Sequence, residues 1–179
     1  MFFYTIVNIV VAIIVLIALT YLLFQLYVLK QGNEEIVVLT KRRTPFVMED
    51  INFNQVVLSC DIPFVNRGKQ NGTIMDLYPR HLLPQEQFDS VRVESWTMDV
   101  ARERQDGYWE SIIIEPKKGG TIRLYVVLSA TTGNIKVDTQ QFPGMNIDIV
   151  YQVVGRTDWH ISKNRLTLSA EELQNAMRQ

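Results

Sequence analysis

Residues 145–153 read MNIDIVYQV, in which Met145, Ile147, Ile149, Tyr151 and Val153 alternate with Asn146, Asp148, Val150 and Gln152. A period of two puts one row of side chains on a core and the other nearer solvent, which is the signature of a half-buried strand. Two more stretches carry it. Ile122, Leu124, Val126 and Leu128 alternate with Thr121, Arg123, Tyr125 and Val127, and Val56, Leu58, Cys60 and Ile62 form a third apolar row. Further strands are expected at 36–40, 73–77, 91–98, 108–115, 135–138 and 159–162. Within 91–98 the alternation loses phase between Val93 and Trp96, which predicts a bulge or bend.

Turn chemistry falls between these runs. Asn66-Arg67-Gly68 and Asn71-Gly72 bracket a hairpin-like connection, because Asn and Gly accept positive φ at low cost. Pro116-Lys117-Lys118-Gly119-Gly120, Gly133-Asn134 and Phe142-Pro143-Gly144 mark later turns. Roughly eight or nine short strands, with no long helical pattern among them, indicate an antiparallel β-sandwich, with a closed barrel as the alternative. One helix closes the chain. Ser169-Ala170-Glu171-Glu172 fits a capping box, with Leu168 and Leu173 as its hydrophobic staple. That helix is expected to reach about Met177 and to lie on the sandwich through Leu173, Ala176 and Met177.

The stretch 62–83, IPFVNRGKQNGTIMDLYPRHLL, sets an apolar strand, an Asn-x-Gly turn and a return strand bearing Gly-Thr-Ile in order. It resembles the first hairpin of bacterial immunoglobulin-like modules of the cell-adhesion-related and late-embryogenesis-abundant kinds. The resemblance implies an immunoglobulin-like sandwich used for binding or spacing, and it brings no catalytic residue with it. Asn71-Gly72-Thr73 also spells an N-glycosylation acceptor; it is read here as a turn.

The first 29 residues are of another kind. They carry no charge, and the exceptions to an apolar or aromatic run are Thr5, Asn8, Thr20 and Gln25. A helix of this length spans about 44 Å, more than a hydrocarbon core of about 30 Å. Tyr4, Tyr21 and Tyr27 stand near its ends, at headgroup level. A cleaved signal peptide would want a basic start, a shorter apolar run and a small-x-small site, none of which the sequence offers. The domain reading is a transmembrane helix over 1–29, a short flexible linker over 30–35 and a sandwich over 36–179. Such a linker reaches only about 13 Å as a random coil. Lys30 and Lys41-Arg42-Arg43 follow the helix and no Lys or Arg precedes it, so the positive-inside rule places the sandwich in the cytoplasm. Asn8 and Gln25 either join two copies into a homo-oligomer or find water near the interfaces; the second is preferred.

Composition and spacing narrow the function classes. With 18 Lys+Arg against 19 Asp+Glu the chain lacks the basic excess of a nucleic-acid binder. The single cysteine excludes an intrachain disulfide. His81 and His160 are far apart in sequence and have no metal-ligand spacing, and Cys60 lies on an apolar strand row. No Gly-rich phosphate loop is present, since Gly119-Gly120 reads as a hairpin turn. No metal, cofactor or catalytic group is therefore expected. Asp99, Glu103, Asp106 and Glu110 surround Arg102 and Arg104 ahead of Tyr108 and Trp109, a segment that could frame a sugar or peptide cleft on flat aromatic rings; the preferred reading is a solvated loop with the aromatics in the core.

The expectation is a mainly β, non-enzymatic, single-pass membrane protein: an N-terminal transmembrane helix in the bilayer, an antiparallel immunoglobulin-like β-sandwich and a short C-terminal helix. It would recognise or tether a membrane-associated protein partner. The expected contact surface is the turn with Asn66, Arg67, Lys69 and Asn71, together with Arg102, Arg104, Asp106, Tyr108 and Trp109. The alternative is an envelope enzyme or carbohydrate-binding accessory built on Tyr108, Trp109 and Glu110, and burial of Trp109 would remove it.

Overall fold

The structure is a computed structural model that describes residues 2–102, 108–156 and 159–178. Its first element is helix α1 (Phe2–Gln31), none of whose residues is buried and which is long and apolar enough to cross a membrane. Nine strands follow among the described residues: β1 (Ile36–Val38), β2 (Val47–Ile51), β3 (Gln55–Asn66), β4 (Gly72–Leu82), β5 (Val91–Asp99), β6 (Ile112–Ile114), β7 (Gly119–Ala130), β8 (Met145–Val154) and β9 (His160–Leu168). Two short helices complete the chain, α2 (Ile135–Asp138) and α3 (Ala170–Ala176).

The strands form two antiparallel sheets. The first runs β1-β3-β7-β5, with β2 sharing the β1 edge of β3; the second runs β6-β4-β8-β9. Lettered in chain order, this is the A-B-E-D and C-F-G arrangement of an immunoglobulin-type sandwich, with β6 added beside β4. All three alternating rows face the core. Val56, Leu58 and Ile62 of β3, Ile122, Leu124 and Leu128 of β7, and Ile147, Ile149 and Val153 of β8 are fully buried together. Because β3 pairs with β7 from Gln55 to Val65 without a shift, the sandwich is about 36 Å long, at about 3.3 Å per residue.

Several expectations are corrected. Residues 135–138 are not a strand but one helical turn: the Asn134 side chain accepts the Lys136 N–H at 3.2 Å and caps it, while Ile135 is buried. The stretch 91–98 has no bulge, for β5 pairs with β7 in unbroken register. Its phase is lost because Trp96 faces outward, stacked on Tyr125 at 5.3 Å and 15°, while Thr97 turns inward and its hydroxyl donates to Leu77 O at 3.1 Å. The register shifts lie instead in β2, between Met48 and Asp50, and in β4, between Ile74 and Asp76. The strand expected over 108–115 shortens to β6. The segment 47–51, with the pattern VMEDI, shows too little alternation to be read as a strand, and it forms β2 by pairing with β3.

The closing helix is as expected. Ser169 Oγ accepts the Glu172 N–H at 3.0 Å, and Leu173 and Ala176 are buried against the core. What ties α3 to the body is Arg43. Its guanidinium donates to both Glu172 carboxylate oxygens at 2.7 Å and to Thr167 O at 2.9 Å, and it lies over the Phe46 ring. Glu172 Oε1 also accepts the Phe46 N–H at 2.9 Å. Burial works to raise the Glu172 carboxyl, but these bonds outweigh it and hold the group below the ordinary glutamate range.

Candidate functional site

The end of the sandwich nearest α1 is assembled around one side chain. Asn66 is the last residue of β3 and is fully buried. Its amide nitrogen donates to Gln70 O at 2.8 Å and Ile114 O at 3.0 Å, and its oxygen accepts from Gly68 N at 2.9 Å and Glu35 N at 3.1 Å. The Asn66 backbone adds two bonds to the β6–β7 turn, donating to Lys118 O and accepting from Lys117 N, both at 2.8 Å. One amide thus joins the chain leaving the helix, the β3–β4 turn and the β6 strand. With its donor and acceptor capacity used, little alternative remains for it.

The residues between helix and sandwich, expected as a short linker over 30–35, are bonded to the sandwich. Helix α1 continues to Gln31. Asn33 O accepts from Lys69 N at 2.9 Å and Glu35 O from Arg67 N at 2.7 Å. From the other side, Arg156 N donates to Glu34 Oε2 at 3.3 Å, and the Arg156 guanidinium bonds the Gln31 side chain. Gly68 makes the close passage feasible: a Cβ there would overlap Asn33 O and sit 2.6 Å from Glu34 Cα, both backbone atoms.

The expected contact surface divides on this geometry. Asn66 is buried and structural, so it is removed from any surface; the Asn-x-Gly pattern signalled a turn but not its inward amide. Arg67, Lys69 and Asn71 are exposed on the turn. Arg102, also exposed, reaches the same end of the molecule, on a shallow pocket shared with Phe64, Ile113 and Lys118. Arg104 and Asp106 lie outside the described residues. Tyr108 is exposed, whereas Trp109 is only 4% exposed and belongs to the core. An open cleft walled by Trp109 is therefore absent, and the carbohydrate-accessory alternative loses its stacking platform.

Cys60 is buried, and desolvation pushes its thiol up to about 12. Burial lowers the His81 pKa; its Nδ1 lies 3.2 Å from Ser95 Oγ. Asp61 pairs with Arg123 at 2.8 Å and Asp148 with Arg165 at 2.7 Å. Among the described residues, no group of three His, Cys, Asp or Glu could hold a metal ion.

At the opposite end, the β2–β3 turn and α2 enclose a pocket of about 350 Å³ lined by Ile51, Asn52, Phe53, Asn134, Ile135 and Lys136. Phe53 is 73% exposed on its rim, and Val137, on the same helical turn as Ile135 and Lys136, is exposed. This feature was missed by the sequence reading. The signal for it was an aromatic between two asparagines, Asn52-Phe53-Asn54, in a place where a turn rather than a strand sits.

No family model matches the chain, and no curated protein matches it. Among solved structures it is similar to the GAE domain of GGA2p from Saccharomyces cerevisiae, with 9% identity and a TM-score of 0.37 over 76% of this chain and 98% of that one. It is also similar to the yeast GGA1 GAE domain, with 9% identity and a TM-score of 0.35 over 71% and 98%. A Northeast Structural Genomics Consortium target aligns with 14% identity and a TM-score of 0.40 over 76% and 86%. The immunoglobulin-like assignment stands on the strand order.

Proposed function

We propose that this chain is a non-enzymatic, single-pass membrane protein whose immunoglobulin-like sandwich recognises a membrane-associated protein partner. The observation that carries the reading is the absence of slack between anchor and domain. An uncharged helix of 30 residues passes directly into backbone and side-chain bonds with the β3–β4 turn and Arg156. A domain fixed in this way presents its far end at a set height above the bilayer and meets membrane-bound partners at a raised effective concentration. The apolar pocket around Phe53, at that far end, is the contact surface in this reading, taking an apolar side chain of the partner. The buried Cys60 thiol and the paired carboxylates support a binding role over a catalytic one. The Lys and Arg distribution supports a cytoplasmic domain.

The test is a photo-crosslinking amino acid placed at Phe53 in the full chain, in its native membranes, with Glu94 on the outer face of β5 as control. A discrete adduct from Phe53 that disappears in Val137→Asp, and no adduct from Glu94, is the expected result. Equal labelling from both positions, or none from Phe53, contradicts the recognition surface. A reporter active only outside the cytoplasm, fused after Gln179, is expected to stay silent; strong activity reverses the sidedness.

A further inference from the structure

We propose a second surface on the sandwich: the helix-proximal part of the outer face of the β6-β4-β8-β9 sheet docks on the bilayer and selects anionic phospholipid headgroups. This rests on the reading that α1 remains in the membrane. Strand register places the apolar residues. Ile113 pairs with Thr73, Thr73 with Val154, and Gln152 with Ile161. Tyr151 and Val153 point into the core, so Gln152 and Ile161 face outward. Ile113 is 69% exposed, and Ile161 and Trp159 are each 60% exposed. Met75, at the β4 register shift, is exposed as well. Exposed isoleucines and a tryptophan gathered on one part of a sheet mark a contact surface rather than ordinary solvent-facing strands.

The identity of what covers it follows from position and charge. The patch lies at the end of the sheet from which the helix departs: Trp159 is three residues and Ile161 five from Arg156, whose side chain bonds Gln31 of the helix. Among the described residues seven exposed cations stand at this end: Lys30, Arg67, Lys69, Arg102, Lys117, Lys118 and Arg156. The β3–β4 and β6–β7 turns that carry four of them are bonded together, Lys117 Nζ donating to Arg67 O. Among the described residues the acids at this end are Glu34, whose carboxylate accepts the Arg156 N–H, Glu35, Glu115 and Asp99, which lines one pocket with Ile113; Asp76 shares the row of Gln152 and Ile161. Apolar side chains ringed by long cationic ones, the tryptophan among them, match the interfacial layer of a bilayer, where indole rings and snorkelling lysines favour the headgroup level. Cations near an anionic leaflet add about 1 kcal/mol each, or roughly fivefold in the docked-to-undocked ratio. Farther along the same face the pattern reverses: Arg80, Asp148 and Arg165 share one row, and Asp148 is buried beneath its partners. Docking is thus confined to one end.

Full-length chain reconstituted into vesicles with brominated acyl chains tests this. Trp159 quenching is obtained as the difference from Trp159→Phe, in phosphatidylcholine alone and in phosphatidylcholine mixed with phosphatidylglycerol. The expected result is quenching in the anionic vesicles that exceeds that in neutral ones, and a drop of roughly 30-fold in the docked-to-undocked ratio for the Lys69→Gln/Lys118→Gln double variant. Flotation of the same vesicles in high salt separates the two readings. A chain that floats while Trp159 goes unquenched, or is quenched equally in both lipids, overturns the docking alone. A chain that leaves the vesicles in high salt overturns the anchor and the docking together.

Discussion

The two ends of this sandwich use asparagine and charge in opposite ways. At the helix-proximal end the polar group is internal: Asn66 is sealed in, and the cations on the turns around it stay exposed. At the far end exposed acids stand on β2 (Asp50), on the β4–β5 connection (Glu86, Asp89) and on α3 (Glu171), while the ion pair that matters structurally, Arg43 with Glu172, is largely covered. The difference separates attachment from presentation. The proximal end has spent its hydrogen bonds on fixing the chain that leaves the helix, so its pose relative to α1 is set by the fold. The far end, stabilised by the α3 clamp, keeps an apolar pocket open on its surface.

The largest expected effect tests the proximal keystone. Asn66→Ala strips two donors and two acceptors from buried partners, and the full chain in detergent is expected to lose about 3 kcal/mol in urea unfolding. Stability within 0.5 kcal/mol of the wild type would show that the amide network is not what fixes this end. Gly68→Ala sharpens the same point, since the new Cβ collides with the passing backbone of Asn33 and Glu34. Protease cleavage within residues 32–35 should rise in that variant, and an unchanged digest would argue that this passage is already loose.

At the far end, Glu172→Gln should cost about 2 kcal/mol at neutral pH, because Arg43 and the Phe46 N–H lose a charged acceptor. The sign of the pH dependence follows from the depressed carboxyl. The stabilisation is complete above the ordinary glutamate value of about 4.5 and is lost as pH falls through the lower folded value. Wild type and Glu172→Gln should therefore converge in acid, and a gap that stays constant down to acid unfolding would exclude this ion pair as its cause.

Smaller effects separate the two halves of the outer face on the β6-β4-β8-β9 sheet. Ile161→Gln on the apolar part should change stability by no more than about 0.5 kcal/mol, whereas Asp148→Asn should cost about 1–2 kcal/mol, since it leaves Arg165 facing a neutral amide. Equal costs would erase the distinction between a contact surface and a self-satisfied one. The least effect belongs to His81. Burial lowers its folded pKa, so the unfolded state binds the proton more readily, and stability should rise slightly as pH climbs through the ordinary histidine value of about 6.5. His81→Gln should flatten that rise in thermal melts.

Much of the architecture was legible because burial and strand period coincide. In β3, β7 and β8 both neighbours of each strand are in place, so inward residues are uniformly apolar and the alternation is plain. It failed where a residue answered to a neighbour rather than to the core. Trp96 stacks on Tyr125 across the strand pair, so an aromatic appeared at an outward position and mimicked a bulge. β2 forms on the edge of β3 with few inward residues of its own. Ile135 is held by an asparagine cap and a single helical turn, too short for any helical period to show. The candidate surface was less legible for the same reason. Asn66 meets Glu35 and Ile114, which are 31 and 48 residues away, and no local pattern announces bonds at such separation. Trp109, set in a polar segment, fits a core ring and a contact surface equally well by local pattern, and it packs in the core.

The account depends most on α1 staying in the bilayer. Alkaline carbonate treatment of native membranes, followed by mass spectrometry of the N-terminal peptide, tests this directly. The account predicts that the chain remains in the pellet with residues 2–29 attached. A chain released to the supernatant, beginning beyond Leu29, would contradict it.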